Sequence, residues 1–343
     1  MTHRIAILGA SGYAGGELIR LIDAHPAFVA AHLGAHSKAG STLETVHPQL
    51  TGGERTLGSL DPAEVPDVDI AFLALPHGAS ATPAMDLVQR GIRVIDLGSD
   101  FRLDSTARYE AAYGSPHPHP EELGKWPYGL PELFADRIAG SDRVAAPGCY
   151  PTSALLALAP LYAAGLIRPE GITVDSLSGV SGAGRGAKEN LMFGAVDESV
   201  AAYGVLSHRH QSEMEQGLGA VGATEPQLIF TPHLVPMQRG ILSTCYATLS
   251  SGANQTDVHD ALEAAYREAP FVDVIDRSPQ TRWVVGTNRV LLAAQVDSRT
   301  GRVVVLAAID NLIKGAAGQA VQCANLMMGL DETTGLITAG WMP

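Results

Sequence analysis

His3-Arg-Ile-Ala-Ile-Leu-Gly9-Ala-Ser-Gly12-Tyr-Ala-Gly15-Gly16 decides the fold. His3 to Leu8 has the pattern of a buried strand, and it runs into glycines spaced Gly9-x-x-Gly12-x-x-Gly15. A helix is predicted after them, from about Glu17 to Asp23. Glycines between a strand and a helix permit a tight turn and close approach of a pyrophosphate. The helix N-terminus supplies N–H donors to the same anion. Gly9, Ser11, Gly12, Tyr13 and Gly15 are therefore the candidate cradle of a dinucleotide. The spacing differs from the commonest G-x-G-x-x-G, so the flanking elements must carry part of the argument.

Those elements agree. Strands are predicted over Val29–Gly34, Ile70–Leu75 and Arg93–Leu97, with a helix over Ser80–Arg90. Strands and helices alternating at this spacing mean a parallel sheet with right-handed crossovers. A site for NAD usually places Asp or Glu at the end of the second strand, on the ribose 2′-hydroxyl. Here the stretch is Ala35-His36-Ser37-Lys38-Ala39-Gly40, with no acid. Ser37 can donate a hydrogen bond and Lys38 a positive charge to a 2′-phosphate, so NADP (as NADPH) is the expected cofactor. Pro76 and His77 of Leu75-Pro-His-Gly78 follow the third strand and are expected to face it. From Gly98 to Asp142 the chain is rich in Pro, Gly, Tyr and His, and reads as a long loop region.

A second signal is Ala146-Pro-Gly-Cys149-Tyr-Pro151-Thr-Ser153. Pro151 suits the first turn of a helix, where its missing N–H is not needed. Thr152 to Tyr162 is Ala/Leu-rich and helical. Cys149 thus lies at or just before a helix N-terminus, where unpaired N–H groups and the dipole favour thiolate. A thiolate there can attack a carbonyl and form a thioester.

Beyond Cys149 the strands Ile172–Leu177, Gln227–Thr231, Gly240–Leu249, Asn288–Val296 and Arg302–Ile309 have few helices between them. Thr256–Glu268 is the clearest. This pattern predicts a second, α+β domain with a mostly antiparallel sheet. Ile313 to Met328 is an Ala/Gly-rich helix that returns to the first domain. The expected division is 1–149 with 314–343, and 150–313.

Composition narrows the function. A chain of 343 residues accommodates two domains. Its net charge of −13 argues against sequence-independent nucleic-acid binding. No apolar run reaches the roughly 18 residues of a membrane span. The opening residues lack a signal-peptide layout, and three widely spaced cysteines suit neither a disulfide framework nor a zinc cluster. The expectation is a cytoplasmic protein with no bound metal; His117 and His119 sit in a Pro-rich loop without metal-ligand context.

A hydride carrier together with an activated thiol suggests acyl reduction, with a histidine to move protons and cations to hold a phosphate and a carboxylate. Here the sequence resembles the type 1 N-acetyl-gamma-glutamyl-phosphate reductases of arginine biosynthesis, over nearly its whole length. The matching stretches are Gly9–Gly15 with Glu17-Leu18, Leu75–Gly78, Asp96–Leu103, Tyr128–Glu132, Pro147–Thr152, Gly179–Arg185, His208–His210, and Pro232–Met237 with Arg239-Gly240. Two positions depart from the family pattern. Lys38 stands where arginine is frequent, and Gly186 where a longer polar residue is usual.

The resemblance implies a Rossmann-type domain, an α+β catalytic and dimerisation domain, NADP, N-acetyl-glutamyl phosphate as substrate, and a homodimer or homotetramer. His208 and His210 compete as proton relay. An extended lead-in to a helix near Gln211 would send them to opposite sides, and the family pattern favours His210. Ser181, Arg185, Arg239 and Arg102 are candidates for the substrate's anionic groups, while Gly182 and Asn311 are assigned to the cofactor. Rival functions are the same chemistry on an aspartyl or carrier-bound aminoadipyl phosphate, and a non-catalytic sensor of NADP.

Overall fold

The computed structural model describes residues 2–50 and 54–340. The chain divides into two compact units. One comprises residues 1–147 with 316–336, the other 148–315 with 337–343.

The first unit is built on five parallel strands: β1 (His3–Leu8), β2 (Phe28–Gly34), β3 (Ile70–Leu73), β4 (Arg93–Asp96) and β5 (Arg143–Ala145). They lie in the order β2-β1-β3-β4-β5. The helices are α1 (Tyr13–Asp23), the one-turn α2 (Leu43–Val46), α3 (Ala81–Gln89), α4 (Thr106–Tyr113) and α5 (Pro131–Ile138). The sheet core is fully buried, as with Ile5, Ile7, Leu8, Phe72 and Leu73. Each such side chain contributes about 1.5–3 kcal/mol by leaving water. Helix Gly318–Met327 belongs to this unit and is held by polar groups. Gln319 Nε2 donates to Gly129 O at 2.8 Å, and His25 Nε2 lies 3.0 Å from Asn325 Oδ1.

Two differences from the sequence reading have clear causes. Helix α1 starts at Tyr13, four residues before the predicted start. Gly15 and Gly16 are poor helix formers, but both are buried there, and Gly15 packs on the Gly9 carbonyl. The supposed loop 98–142 contains α4, α5 and the approach to β5. Helix α4 buries only Tyr109, so it shows little periodicity; Ser105 caps its start and Gly114, at φ 70°, ends it. Helix α5 is kinked at Phe134.

The second unit opens with α6 (Cys149–Ala163), which is buried on nearly every side. It packs on a seven-stranded sheet of β6 (Ile172–Ser178), β7 (Ala201–Ala202), β8 (Leu228–Leu234), β9 (Ile241–Thr248), β10 (Val272–Val274), β11 (Val290–Asp297) and β12 (Arg302–Ile309). The order is β10-β11-β12-β9-β6-β8-β7, and only the β10–β11 and β6–β8 pairs are parallel. The helices α7 (Phe193–Val196), α8 (His210–Val221) and α9 (Gln255–Tyr266) complete it, with α8 and α9 against α6. A buried hydroxyl chain ties helix to sheet: Ser153 Oγ is 2.6 Å from Ser243 Oγ, which is 2.7 Å from Ser176 Oγ. Among the described residues no helix is long and apolar enough to cross a membrane.

Candidate active site

In the first unit the glycine loop is made by backbone needs. Gly9 sits at φ 94°, and any Cβ there would strike the Ala74 carbonyl. Both Gly9 N and Ala10 N donate to Gly34 O at 2.9 Å. Buried His47 holds the other side, with Nε2 2.9 Å from Ala10 O. Gly12 is the N-cap of α1, carries no side-chain cap and has no acid in the turn that follows. A helix start of this kind leaves its N–H groups and positive dipole end to an anion. The residues therefore fit a dinucleotide: Gly9, Ser11, Gly12, Tyr13 and Gly15 would hold its pyrophosphate. Ser37 and Lys38 are exposed in the turn after β2, with no carboxylate in that turn.

His77 follows β3 and is firmly seated. Its Nδ1 is 2.8 Å from Ser99 Oγ and 3.1 Å from Asp100 Oδ1, and its ring stacks on Tyr113 at 4.1 Å. Arg102 is buried in this unit, where Nε donates to Ala146 O and Nη2 to Leu97 O at 2.8 and 2.9 Å. Those bonds brace the run that leads into Pro147.

In the second unit Cys149 is the first residue of α6, outside any disulfide and partly exposed. Gly148 caps the helix without side-chain help, and its N–H donates to Glu213 Oε2 at 3.1 Å. Glu213 is fully buried, and its other oxygen lies 3.7 Å from His210 Nε2. Tyr150 OH is 2.8 Å from Tyr203 OH. Burial pushes the Tyr203 hydroxyl up to about 12, with a contribution from Cys149.

The lead-in to α8 is not extended. Arg209 is helical, at φ −54° and ψ −27°. The His208 and His210 rings are consequently only 4.7 Å apart, and each packs edge-on to Tyr150 at 5.8 Å. Orientation to opposite sides is thus replaced by a shared face. What separates the two is chemistry. Burial, helped by Arg209, lowers His208 to about 4, so it is neutral at ordinary pH. His210 has the Glu213 carboxylate beside it, placed to balance an imidazolium.

A third group surrounds Asn311. Its Oδ1 accepts from Gly240 N at 2.7 Å, and its Nδ2 donates to Ser181 Oγ at 3.0 Å. Gly182 leaves room beside that amide. Arg239 donates to buried Asp310 at 3.1 Å. The loop 179–183 is strapped to 237–240 by Val180 N to Met237 O and Ser181 N to Gln238 O. Arg185 lies on the exposed stretch just beyond. The structure thus gathers Ser181, Gly182, Arg239 and Asn311, and separately Cys149, His208 and His210. No cluster of metal-ligand type occurs among the described residues.

Sequence reasoning missed His47, Asp100, Glu213 and Tyr203 as supports. Glu213 had a usable signal, since it stands one helical turn after His210. Within the Ala/Gly-rich tail, Gly315 packs against the candidate nucleophile. A Cβ there would sit 2.7 Å from Cys149 Cβ. Gly315→Ala should displace the thiol and lower turnover by roughly 10²-fold, the usual result of an ångström-scale misplacement. Dinucleotide affinity should be unchanged; steady-state rates with a binding titration check both.

Two family models match the two halves of the chain. Residues 4–141 match "semialdehyde dehydrogenase, NAD binding domain", and residues 149–311 match "semialdehyde dehydrogenase, dimerisation domain". Solved aspartate semialdehyde dehydrogenases share the fold. The Vibrio cholerae enzyme II aligns with a TM-score of 0.73 at 20% identity, over 96% of this chain and 99% of the other. The Candida albicans enzyme, solved with NADP, aligns at 0.71 and 16%, over 96% and 99%. The chain belongs to the semialdehyde dehydrogenase family. Within that family it groups with the N-acetyl-gamma-glutamyl-phosphate reductases. The relative from Salinispora tropica is 49% identical over the whole of both chains, and that from Moorella thermoacetica 46% identical over 99% of each.

Proposed function

We propose that this protein reduces N-acetyl-L-glutamyl 5-phosphate to N-acetyl-L-glutamate 5-semialdehyde, releasing phosphate, in arginine biosynthesis. The observation that carries the reading is Cys149 at the first position of a buried helix, with the histidine pair and Glu213 around the same helix start. The Cys149 sulfur bonds to the acyl carbon, the carbon–oxygen bond to phosphate breaks, and a thioester remains. Bound NADPH supplies a hydride. His210 provides the proton that balances the oxygen's charge, and withdraws it as the carbon–sulfur bond breaks and aldehyde leaves. Cys149 returns as thiolate at the helix N-terminus. Ser181, Arg185 and Arg239 are assigned to the substrate's anionic groups, Gly182 and Asn311 to the nicotinamide side. Arg102 acts by bracing the chain ahead of Cys149.

The assembly we propose is a homodimer or homotetramer, formed through the second unit and working in the cytoplasm. The sheet there has one open face, on which Leu177 and Ile229 are exposed. A second copy would bury it.

Cofactor choice tests the first unit. NADPH should bind more tightly than NADH, because Ser37 and Lys38 stand where an acid would repel a 2′-phosphate. Replacing them together by Asp and Ala should narrow or reverse the preference. Each lost charge-assisted bond costs about 1.5–3 kcal/mol, or roughly 10- to 100-fold. Paired titrations of NADPH and NADH measure it, and equal wild-type affinities refute the assignment.

A further inference from the structure

Beneath the loop Pro76–His77–Gly78 lies a buried cluster of two carboxylates and one hydroxyl. Asp96, Asp100 and Ser80 are all nearly or fully inaccessible. Asp100 accepts from Gly78 N at 2.8 Å, and from Ser80 N and Ala81 N at 3.0 Å each. It therefore caps α3, which has no cap from its own preceding side chain. It also touches His77 Nδ1. One residue thus fixes both the main chain and the side chain of the loop.

Ser80 Oγ lies 2.9 Å from Asp100 Oδ2 and 3.0 Å from Asp96 Oδ2. A hydroxyl has one proton and can donate to only one of them. Asp100 already accepts three backbone N–H groups, which suits an ionised carboxylate. When Asp96 carries a proton, that proton satisfies the second contact, while its Oδ1 accepts from Gly98 N at 2.8 Å. Burial and the charge of Asp100 raise Asp96 to about 7, against the opposing pull of Gly98 N–H, Arg102 and Ser80. The other groups around the pair are His77, Tyr109 and His117. Burial and both carboxylates push Tyr109 up to about 12, and burial lowers His117.

We propose that Asp100, backed by Asp96 through Ser80, is the positioning residue that sets the cofactor-facing loop. The proposal rests on the reading of the first unit as a dinucleotide site. Asp100→Asn removes the charge that organises four donors, whereas Asp96→Asn keeps the shape of the protonated acid as a neutral amide.

The test is NADPH titration of the purified full chain without acyl substrate, with Cys149 alkylation followed in parallel. D100N should weaken NADPH binding by roughly tenfold or more, as loss of charge-assisted bonds does. D96N should stay within about threefold, because it preserves a neutral donor and acceptor. Alkylation should be unchanged in both. With D100N the loss should fall on the NADPH KM more than on kcat at saturation. Ionisation of Asp96 sets a second charge beside Asp100, so wild-type affinity should fall relative to D96N as pH rises through about 7. Wild-type affinity in D100N, or equal loss in D96N and D100N, overturns the proposal. If D100N does not fold, Ser80→Ala decides: several-fold weaker binding supports it and unchanged binding overturns it. Failure of the wild type to bind either dinucleotide overturns instead the reading beneath.

Discussion

Cys149→Ser should lose phosphate-dependent oxidation of the semialdehyde by roughly 10³-fold or more, while binding NADPH as the wild type does. The size follows from the step that fails. A serine hydroxyl at the same helix start remains protonated at neutral pH, and the dipole that favours thiolate cannot ionise it. The small difference in volume leaves α6 in place, since Cys149 is only partly exposed and its neighbours Tyr150 to Ser153 are buried. Two measurements settle the matter. The first is the initial rate in the oxidative direction. The second is intact-mass detection of an acyl adduct after mixing wild type with acyl phosphate in the absence of NADPH. Near-normal activity in the serine variant, or an acyl adduct that persists in it, would remove Cys149 as the nucleophile.

His210→Asn should lower turnover by about 10²–10⁴-fold, the range for loss of a general acid–base. His208→Asn should cost less and should leave the pH profile of turnover unshifted above pH 5 or so, because His208 loses its proton only below that, at about 4. A base already neutral and weak at working pH cannot be the group whose titration limits the rate. Its visible duty is structural: His208 Nδ1 accepts from His210 N at 3.2 Å, and its ring packs on Phe230. A larger loss in the His208 variant would transfer the proton relay to His208 and leave the thioester standing.

Parts of the fold were legible because periodicity and turn chemistry are local. Strand His3–Leu8, the crossover pattern and strand Arg302–Ile309 need no knowledge of neighbours to be read. Helices α4 and α5 were not legible. One buries a single residue and the other bends in the middle, so neither writes a 3.6-residue pattern. The tail read as one helix, Ile313–Met328, is a π-helical turn over Ile313–Ala317 followed by Gly318–Met327. No local pattern announces a π turn.

The site divides in the same way. Cys149 could be singled out from Pro147-Gly148 before it and Pro151 after it, since helix starts are encoded by adjacent residues. The glycine loop and the missing acid after β2 were readable for the same reason. The approach of Glu213 to Gly148, of Gly315 to Cys149 and of Asp100 to Gly78 depends on residues 65, 166 and 22 positions apart. Only packing brings such pairs together. The histidine pair shows the difference most plainly. The sequence by itself determined that two imidazoles stand two residues apart before a helix. The tertiary structure decided their shared face, through one helical residue at Arg209, the loss of basicity at His208, through burial, and the placing of the Glu213 carboxyl beside His210. Dihedral angle and desolvation are properties of the folded surroundings, and residue spacing carries neither.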